Sequence, residues 1–161
     1  MQLARVVTIT LLVLCVSFGC SRFEKREVKP EFKVFSDMYK ELNVYTEACL
    51  DLYKQDKINQ QTADFFLQKI YETKLNLENI LDILFFYKYA DFINYENYQQ
   101  IYQYVTMRMD SIVYSVSARK KFIENIEQNT DGPEIQDFCR RFAAYLHRIN
   151  KQIATLKNKA K

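Results

Sequence analysis

The chain is nearly free of the residues that interrupt helices. Its 161 residues include only two glycines and two prolines, at Gly19, Gly132, Pro30 and Pro133. Long stretches therefore contain no backbone breaker. Alternating strand patterns bounded by turn residues are missing from the sequence, and so are internal repeats and low-complexity tracts. This composition favours long helices.

The chain also lacks the residue patterns of common catalytic and cofactor sites. His147 is its single histidine, and no nucleophile-elbow motif offers a serine to pair with it. The Glu-x-x-His motifs of di-iron bundles and the C-x-x-C-H motif of c-type haem do not occur. The pairs Glu124/Glu127 and Glu72/Glu78 have ordinary helix-face spacing, so we interpret them as solvated. We therefore expect no catalytic residue, no metal ligand, no cofactor and no enzymatic activity.

The first 20 residues have the organisation of an export signal. Arg5 precedes an uncharged, largely apolar run from Val6 to Val16, and the segment ends in Ser17-Phe18-Gly19-Cys20. An apolar centre of about 7 to 15 residues is typical of a secretory signal, whereas a membrane-spanning helix needs about 20. Ser17 and Gly19 also fit an ordinary signal-peptidase site. Cleavage after Gly19 makes Cys20 the first mature residue, whether the signal is of this ordinary type or of the lipoprotein type described next.

This segment resembles the signal of bacterial lipoproteins, in which a small residue precedes a cysteine that receives diacylglycerol and then an N-acyl chain. Gly19 and Cys20 match the pattern, while Ser17 and Phe18 depart from it. The resemblance, which covers residues 1–20, implies lipid attachment at Cys20. Ser21 resembles the residue that follows the cysteine in lipoproteins of the Gram-negative outer membrane. The expected location is the bacterial cell envelope, on the outer membrane facing the periplasm or the surface.

The remaining residues are enough for one domain. Cleavage after residue 19 leaves 142 of the 161 residues, which can enclose one compact core but are too few for two. We therefore divide the chain into a signal peptide (1–19), a lipidated N-terminus and tether (20–30), a helical domain (31–157) and a basic tail (158–161).

Four segments of the domain carry apolar residues at alternating spacings of three and four. This pattern predicts helices at about 31–55, 60–88, 94–128 and 133–157. Each has one apolar seam: Phe35, Met38, Leu42, Tyr45, Cys49 and Leu52; Phe66, Ile70, Thr73, Leu77, Ile80, Leu84 and Tyr87; Tyr98, Tyr102, Val105, Met109, Ile112, Val116, Ile123 and Ile126; and Ile135, Cys139, Phe142, Leu146, Ile149, Ile153 and Leu156.

The ends of the predicted helices are marked by capping residues. Asn59 is the expected N-cap of the second helix, with Ile58 ahead of it, and Asp131 or Gly132 caps the fourth helix before Pro133. Four such helices with short turns predict an all-α fold, an antiparallel up-down-up-down four-helix bundle. A turn is expected around residues 89 to 93, although a single helix through 60–128 would keep the same phase.

The predicted topology places two cysteines at the same depth. Cys49 lies about two turns before the end of the first helix, and Cys139 lies about two turns after the start of the fourth. Because lipidation of Cys20 and removal of Cys15 leave this pair, we predict a Cys49–Cys139 disulfide. The alternative is two buried free thiols that pack as small apolar residues.

Charge is distributed unevenly along the chain. Seven Lys or Arg residues and no Asp or Glu lie between Phe138 and Lys161. This asymmetry suggests that the last helix faces an anionic partner such as lipid or cell-wall polymer, although a solvated basic face is the commoner explanation. An exported protein has little opportunity to meet nucleic acid, so we do not expect nucleic acid as its partner. Arg119 is the single charged residue in the third seam, and we expect it to snorkel out of the bundle rather than pair with an inward acid.

Half of the twelve tyrosines lie between residues 87 and 104, which the predicted topology places at the end of the bundle nearest the lipid anchor. Tyrosine and lysine suit a bilayer interface, although several of these rings also lie on seams and could fill the core. The candidate membrane- or ligand-facing residues are Tyr89, Tyr95, Tyr98, Tyr102, Tyr104, Lys157, Lys159 and Lys161. The expected function is a non-enzymatic interaction or structural module on a lipid anchor. The alternative is a carrier that binds a small apolar or glycan ligand at the tyrosine-rich end.

Overall fold

The structure confirms the prediction of a four-helix bundle. A computed structural model describes residues 30–89 and 95–159, with side chains described for 30–85 and 103–158. The helices of these segments are α1 (Pro30–Lys54), α2 (Gln60–Tyr89), α3 (Tyr95–Gln128) and α4 (Pro133–Lys159). Their bounds lie within two residues of those predicted from the apolar seams. The expected turn around residues 89 to 93 falls almost wholly on residues outside this description.

The turn between α1 and α2 is closed by caps at both helix ends. Asp56 adopts a left-handed conformation with φ of 54°. The Lys57 amide bonds the Leu52 carbonyl at 2.9 Å and the Asp56 amide bonds the Tyr53 carbonyl at 3.0 Å, which is a Schellman motif. Asn59 then begins α2 as predicted, because its side-chain oxygen accepts the Thr62 amide at 2.8 Å.

The second described turn starts α4 in the expected way. The Gly132 carbonyl accepts the amide of Gln136 at 2.9 Å, which makes Gly132 the N-cap and Pro133 the first helical residue. The Gln136 side chain also donates to the Thr130 carbonyl at 2.7 Å, so it secures the loop against the helix.

Hydrogen bonds between helices fix the antiparallel arrangement. Between α2 and α3 they join Asn76 to Ser115 and Asn79 to Arg108, so residue numbers rise on one helix as they fall on the other. A single continuous helix through 60–128 is thereby excluded. The same antiparallel order relates α1 to α2, because Tyr39 hydrogen bonds Glu78 at 2.7 Å while Cys49, later in α1, contacts Ala63, earlier in α2.

The apolar seams form one core, and most of the predicted seam residues with described side chains are buried in it. Its centre includes two residues that the seams omitted, Phe138 and Tyr145, each only 1% exposed. Tyr145 crosses from α4 to α1, where its hydroxyl donates to the Met38 carbonyl at 2.6 Å. Burial raises the pKa of this phenol, so it stays protonated and remains a donor.

We expect Tyr145→Phe to lower the free energy of unfolding by about 1 to 1.5 kcal/mol, because the buried ring is kept while one interhelical hydrogen bond is lost. Urea denaturation followed by circular dichroism measures this difference. Tyr71→Phe is the matched control, since Tyr71 is 59% exposed on α2. Equal stability of the two variants would contradict the structural role of the Tyr145 hydroxyl.

Candidate functional site

The most unusual polar feature of the described core is a buried arginine between α2 and α3. The Arg119 side chain is 5% exposed, and its Nε donates to Glu72 Oε2 at 3.2 Å. Its Nη1 donates to Thr73 Oγ1 at 3.0 Å, and its Nη2 donates to Ser115 Oγ at 3.3 Å. The expectation that Arg119 snorkels to solvent was therefore wrong, and the alternative of an inward acid describes this site.

The acid of this pair belongs to a wider network at the edge of the core. Lys69 also donates to the Glu72 carboxylate at 2.9 Å. The Thr73 hydroxyl donates a hydrogen bond to the Lys69 carbonyl at 2.8 Å. Burial acts to raise the pKa of Glu72, but the hydrogen bond and charge of Lys69 and the charge of Arg119 outweigh it and lower that pKa. The interpretation of Glu72 as simply solvated was therefore incomplete.

A lowered pKa makes Glu72 a source of pH-dependent stability. The pKa of Glu72 is lower in the folded protein than in the unfolded chain, where it is near 4.3. The stabilisation that the Glu72 carboxylate gives the fold is therefore present above the unfolded pKa and is lost as the pH falls through the folded pKa. We expect Glu72→Gln to lower the free energy of unfolding by about 1 to 2 kcal/mol at pH 7 and by less near pH 3.

Denaturation curves at both pH values test this expectation for Glu72. Glu47→Gln serves as the control because Glu47 is exposed on α1. A loss of stability in Glu72→Gln that stays the same at pH 3 and pH 7 would show that the Glu72 charge is not its source.

The two cysteines of the bundle are free thiols, so the predicted Cys49–Cys139 disulfide was wrong. Both are fully buried. Cys49 Sγ lies 3.7 Å from the Ala63 carbonyl of α2. Equal depth in the bundle therefore does not by itself join the two sulfurs.

Burial raises the pKa of the Cys49 thiol to about 11 and that of the Cys139 thiol to about 12, with smaller contributions from Asp64 and Glu127 respectively. A thiol reacts as its thiolate, so both are chemically quiet at neutral pH. We expect alkylation at pH 8 to label neither cysteine in the folded protein and both in urea without reductant. Mass spectrometry counts the labels, and a pair that resists labelling in urea would show that a bond forms after all.

The basic side chains of α4 are largely paired within the bundle. Arg140 bonds Glu127 at 3.1 Å and Arg141 bonds Asp137 at 2.9 Å. Further ion pairs join Arg148 to Glu41 and Lys157 to Asp110. His147 and Lys151 are exposed on the outer face of the same helix. These pairs reduce the positive charge that the last helix offers to an anionic surface, although exposed pairs are individually weak.

Of the candidate membrane- or ligand-facing residues, the structure describes two side chains. Tyr104 is 55% exposed, with the Arg108 guanidinium 5.9 Å from its ring centre, and Lys157 is the partner of Asp110. The side chains of Tyr89, Tyr95, Tyr98, Tyr102 and Lys159 lie outside the described set, as do residues Cys20 and Lys161. Pro30 and Leu156 line a small common pocket, so α1 begins where α4 ends, as predicted.

An open cleft of about 570 Å³ lies at the other end of the bundle, between α1 and α4. Its apolar walls come from Leu52, Pro133 and Phe138, and its acids include Glu134 and Asp137. Glu134 pairs with Lys57 at 2.9 Å and Asp137 with Arg141, so these carboxylates are already neutralised. Within residues 30–89 and 95–159, no cluster of histidine, cysteine or acidic side chains could hold a metal ion.

Four large apolar side chains are exposed along the described part of α3, a row that sequence reasoning did not single out. Met107 is 64% exposed and Tyr114 is 79% exposed, with Tyr104 and Phe122 on the same side of the helix. Their spacing of three, seven and eight residues is close to helical, and this signal was available in the sequence. None of the helices described is long and apolar enough to cross a bilayer.

Comparison with protein-family models, with curated proteins and with solved structures finds no match to this chain.

Proposed function

We propose that the chain is a lipid-anchored lipoprotein of the bacterial cell envelope whose helical bundle acts as a non-enzymatic interaction or structural module. The observation that carries the proposal is the sequence of residues 1–20, which has the organisation of an export signal ending in Gly19-Cys20 and precedes a bundle that begins at Pro30. A ten-residue tether spans at most about 35 Å, so the bundle would stay close to the bilayer.

The chemistry of the described core supports a module rather than an enzyme. Its buried arginine is satisfied by Glu72, Thr73 and Ser115, and its thiols are protonated at neutral pH. Among the described buried side-chain polar atoms, Asn150 Oδ1 alone has no hydrogen-bond partner. Groups held in this way stabilise the packing of the helices and are poorly placed to react with a substrate.

The surface supports an interaction role. Exposed aromatic and sulfur-containing side chains on α3 are more typical of a contact surface than of a solvated helix. The carrier function remains an alternative whose tyrosine-rich site lies mostly beyond the described side chains. An anionic partner for α4 would have to compete with the ion pairs of Arg140, Arg148 and Lys157.

Lipid attachment can be tested by substitution of the first mature residue. In bacteria that express the full chain, we expect Cys20→Ser to abolish incorporation of a labelled fatty acid and to shift the protein from the detergent phase to the aqueous phase on phase separation. Cys15→Ser is the matched control, because Cys15 lies inside the signal and should not be needed. Wild-type protein that is processed but carries no label would overturn the lipid anchor and favour ordinary signal-peptidase cleavage.

A further inference from the structure

The outer face of α3 carries a continuous stripe without charge. Six residues lie within about 80° of the helix circumference, given about 100° per residue, and point away from the buried seam. We name them the α3 stripe: Tyr104, Met107, Ser111, Tyr114, Ala118 and Phe122, all exposed. The stripe is about 27 Å long at 1.5 Å per residue.

The α3 stripe differs from the other exposed apolar residues of the bundle. On α1, Val34, Val44, Leu50 and Tyr53 are exposed but point in different directions around the helix, as isolated surface residues do. On α2, Tyr71, Leu75 and Phe85 share one side, but exposed Asp82 lies among them, so a charge interrupts that row. The four large side chains of the stripe instead form one patch that exposes on the order of 450 Å², given the surface of such side chains. A patch of that size is within the range of functional surfaces.

Two charged neighbours of the stripe are held at its edges. Arg108 lies over the ring of Tyr104 and donates to Asn79 on α2, which draws its charge toward the α2 side. Asp110 is paired with Lys157 on α4, which draws its charge to the opposite side. Lys121 is also exposed between these edges, about 20° around the helix from Tyr114 at 100° per residue. The six residues of the stripe themselves carry no charge, so an apolar partner would have only these three bordering ions to accommodate.

The order of large and small residues makes the stripe complementary to itself. If two copies of α3 cross antiparallel about a two-fold axis near residue 113, Met107 faces Ala118 and Ser111 faces Tyr114 of the other copy. Tyr104 then faces Phe122. Each large side chain in the middle meets a small one, whereas a parallel pair would set Tyr114 against itself and leave the small residues facing each other.

We propose that the α3 stripe is the interface of a symmetric homodimer in which two α3 helices pack antiparallel. A two-fold interface uses the same surface on both subunits, as this pattern requires. The exposed area of the stripe is about half of the roughly 800 Å² per partner of a standard interface, so the expected dimer is a weak one in equilibrium with its monomer. The dimer does not depend on lipid at Cys20. If both copies are anchored in one bilayer, the two bundles lie along its surface, because their anchor ends point in opposite directions.

Sedimentation of residues 21–161 over a concentration series tests the dimer, because the bundle from Pro30 to Lys159 contains the complete core described above. We expect a monomer–dimer equilibrium whose Kd rises at least tenfold in Tyr114→Asp. Val44→Asp is the control, since Val44 is 56% exposed on α1 and should leave the Kd unchanged. Circular dichroism verifies that both variants fold.

Two outcomes of sedimentation would overturn the proposal. A monomer at every concentration would exclude the second copy, and binding of that monomer to lipid vesicles through the stripe would identify a bilayer as the occupant instead. A wild-type dimer that Tyr114→Asp leaves intact would place the interface elsewhere on the molecule.

Cross-linking tests the direction of the helices. With a short bis-maleimide, Ser111→Cys should link two copies, because the two positions are offset by about 6 Å along an antiparallel pair. Asn125→Cys should not link, because its two copies would be about 36 Å apart. The buried Cys49 and Cys139 do not compete for the reagent. Efficient linkage through Asn125→Cys would show a parallel pair and contradict the proposed packing. Failed lipidation of Cys20 would leave both measurements unaffected.

Discussion

The buried guanidinium of Arg119 fixes the register between the two helical hairpins of the bundle, α1–α2 and α3–α4. A buried cation cannot shift along the interface without leaving its acceptors, so Glu72 and Thr73 set the register of α2 against α3. The neighbouring contacts of Asn76 with Ser115 and of Asn79 with Arg108 follow that register. The interface between these two helices is consequently rich in polar contacts, and it leaves the apolar outer side of α3 uncovered.

The opposite interface, between α1 and α4, is held by aromatic rings. Tyr45 lies 5.2 Å from Phe142 and 5.0 Å from Tyr145, measured between ring centres, and Phe66 of α2 reaches Phe138 at 4.9 Å. Rings of this size fill the width of the bundle, and the Tyr145 hydroxyl ties the two helices together at Met38. The two hairpins are thus joined by hydrogen bonds and an ion pair between α2 and α3, and by aromatic packing between α1 and α4.

The sequence was sufficient for the helices, their caps and most of the core, because breakers are so rare that the apolar period dominates. It was insufficient where the direction of one side chain decided the outcome. Cys49 and Cys139 are both buried on their predicted seams, but they are free thiols, because depth along the bundle does not fix the direction in which a side chain points. Arg119 has the predicted position, but its partners come from α2 and from the preceding turn of α3, which a seam on one helix cannot show.

The α3 stripe shows a second limit of seam analysis. The strongest apolar period on a helix belongs to the seam that enters the core, so this period does not reveal a second, weaker stripe on the same helix. On α4 the comparison is clear, since the face opposite its seam carries Arg140, His147 and Lys151 and has the polarity that water requires. The outer face of α3 has the opposite character, and its uncharged rings are better explained by contact with another surface.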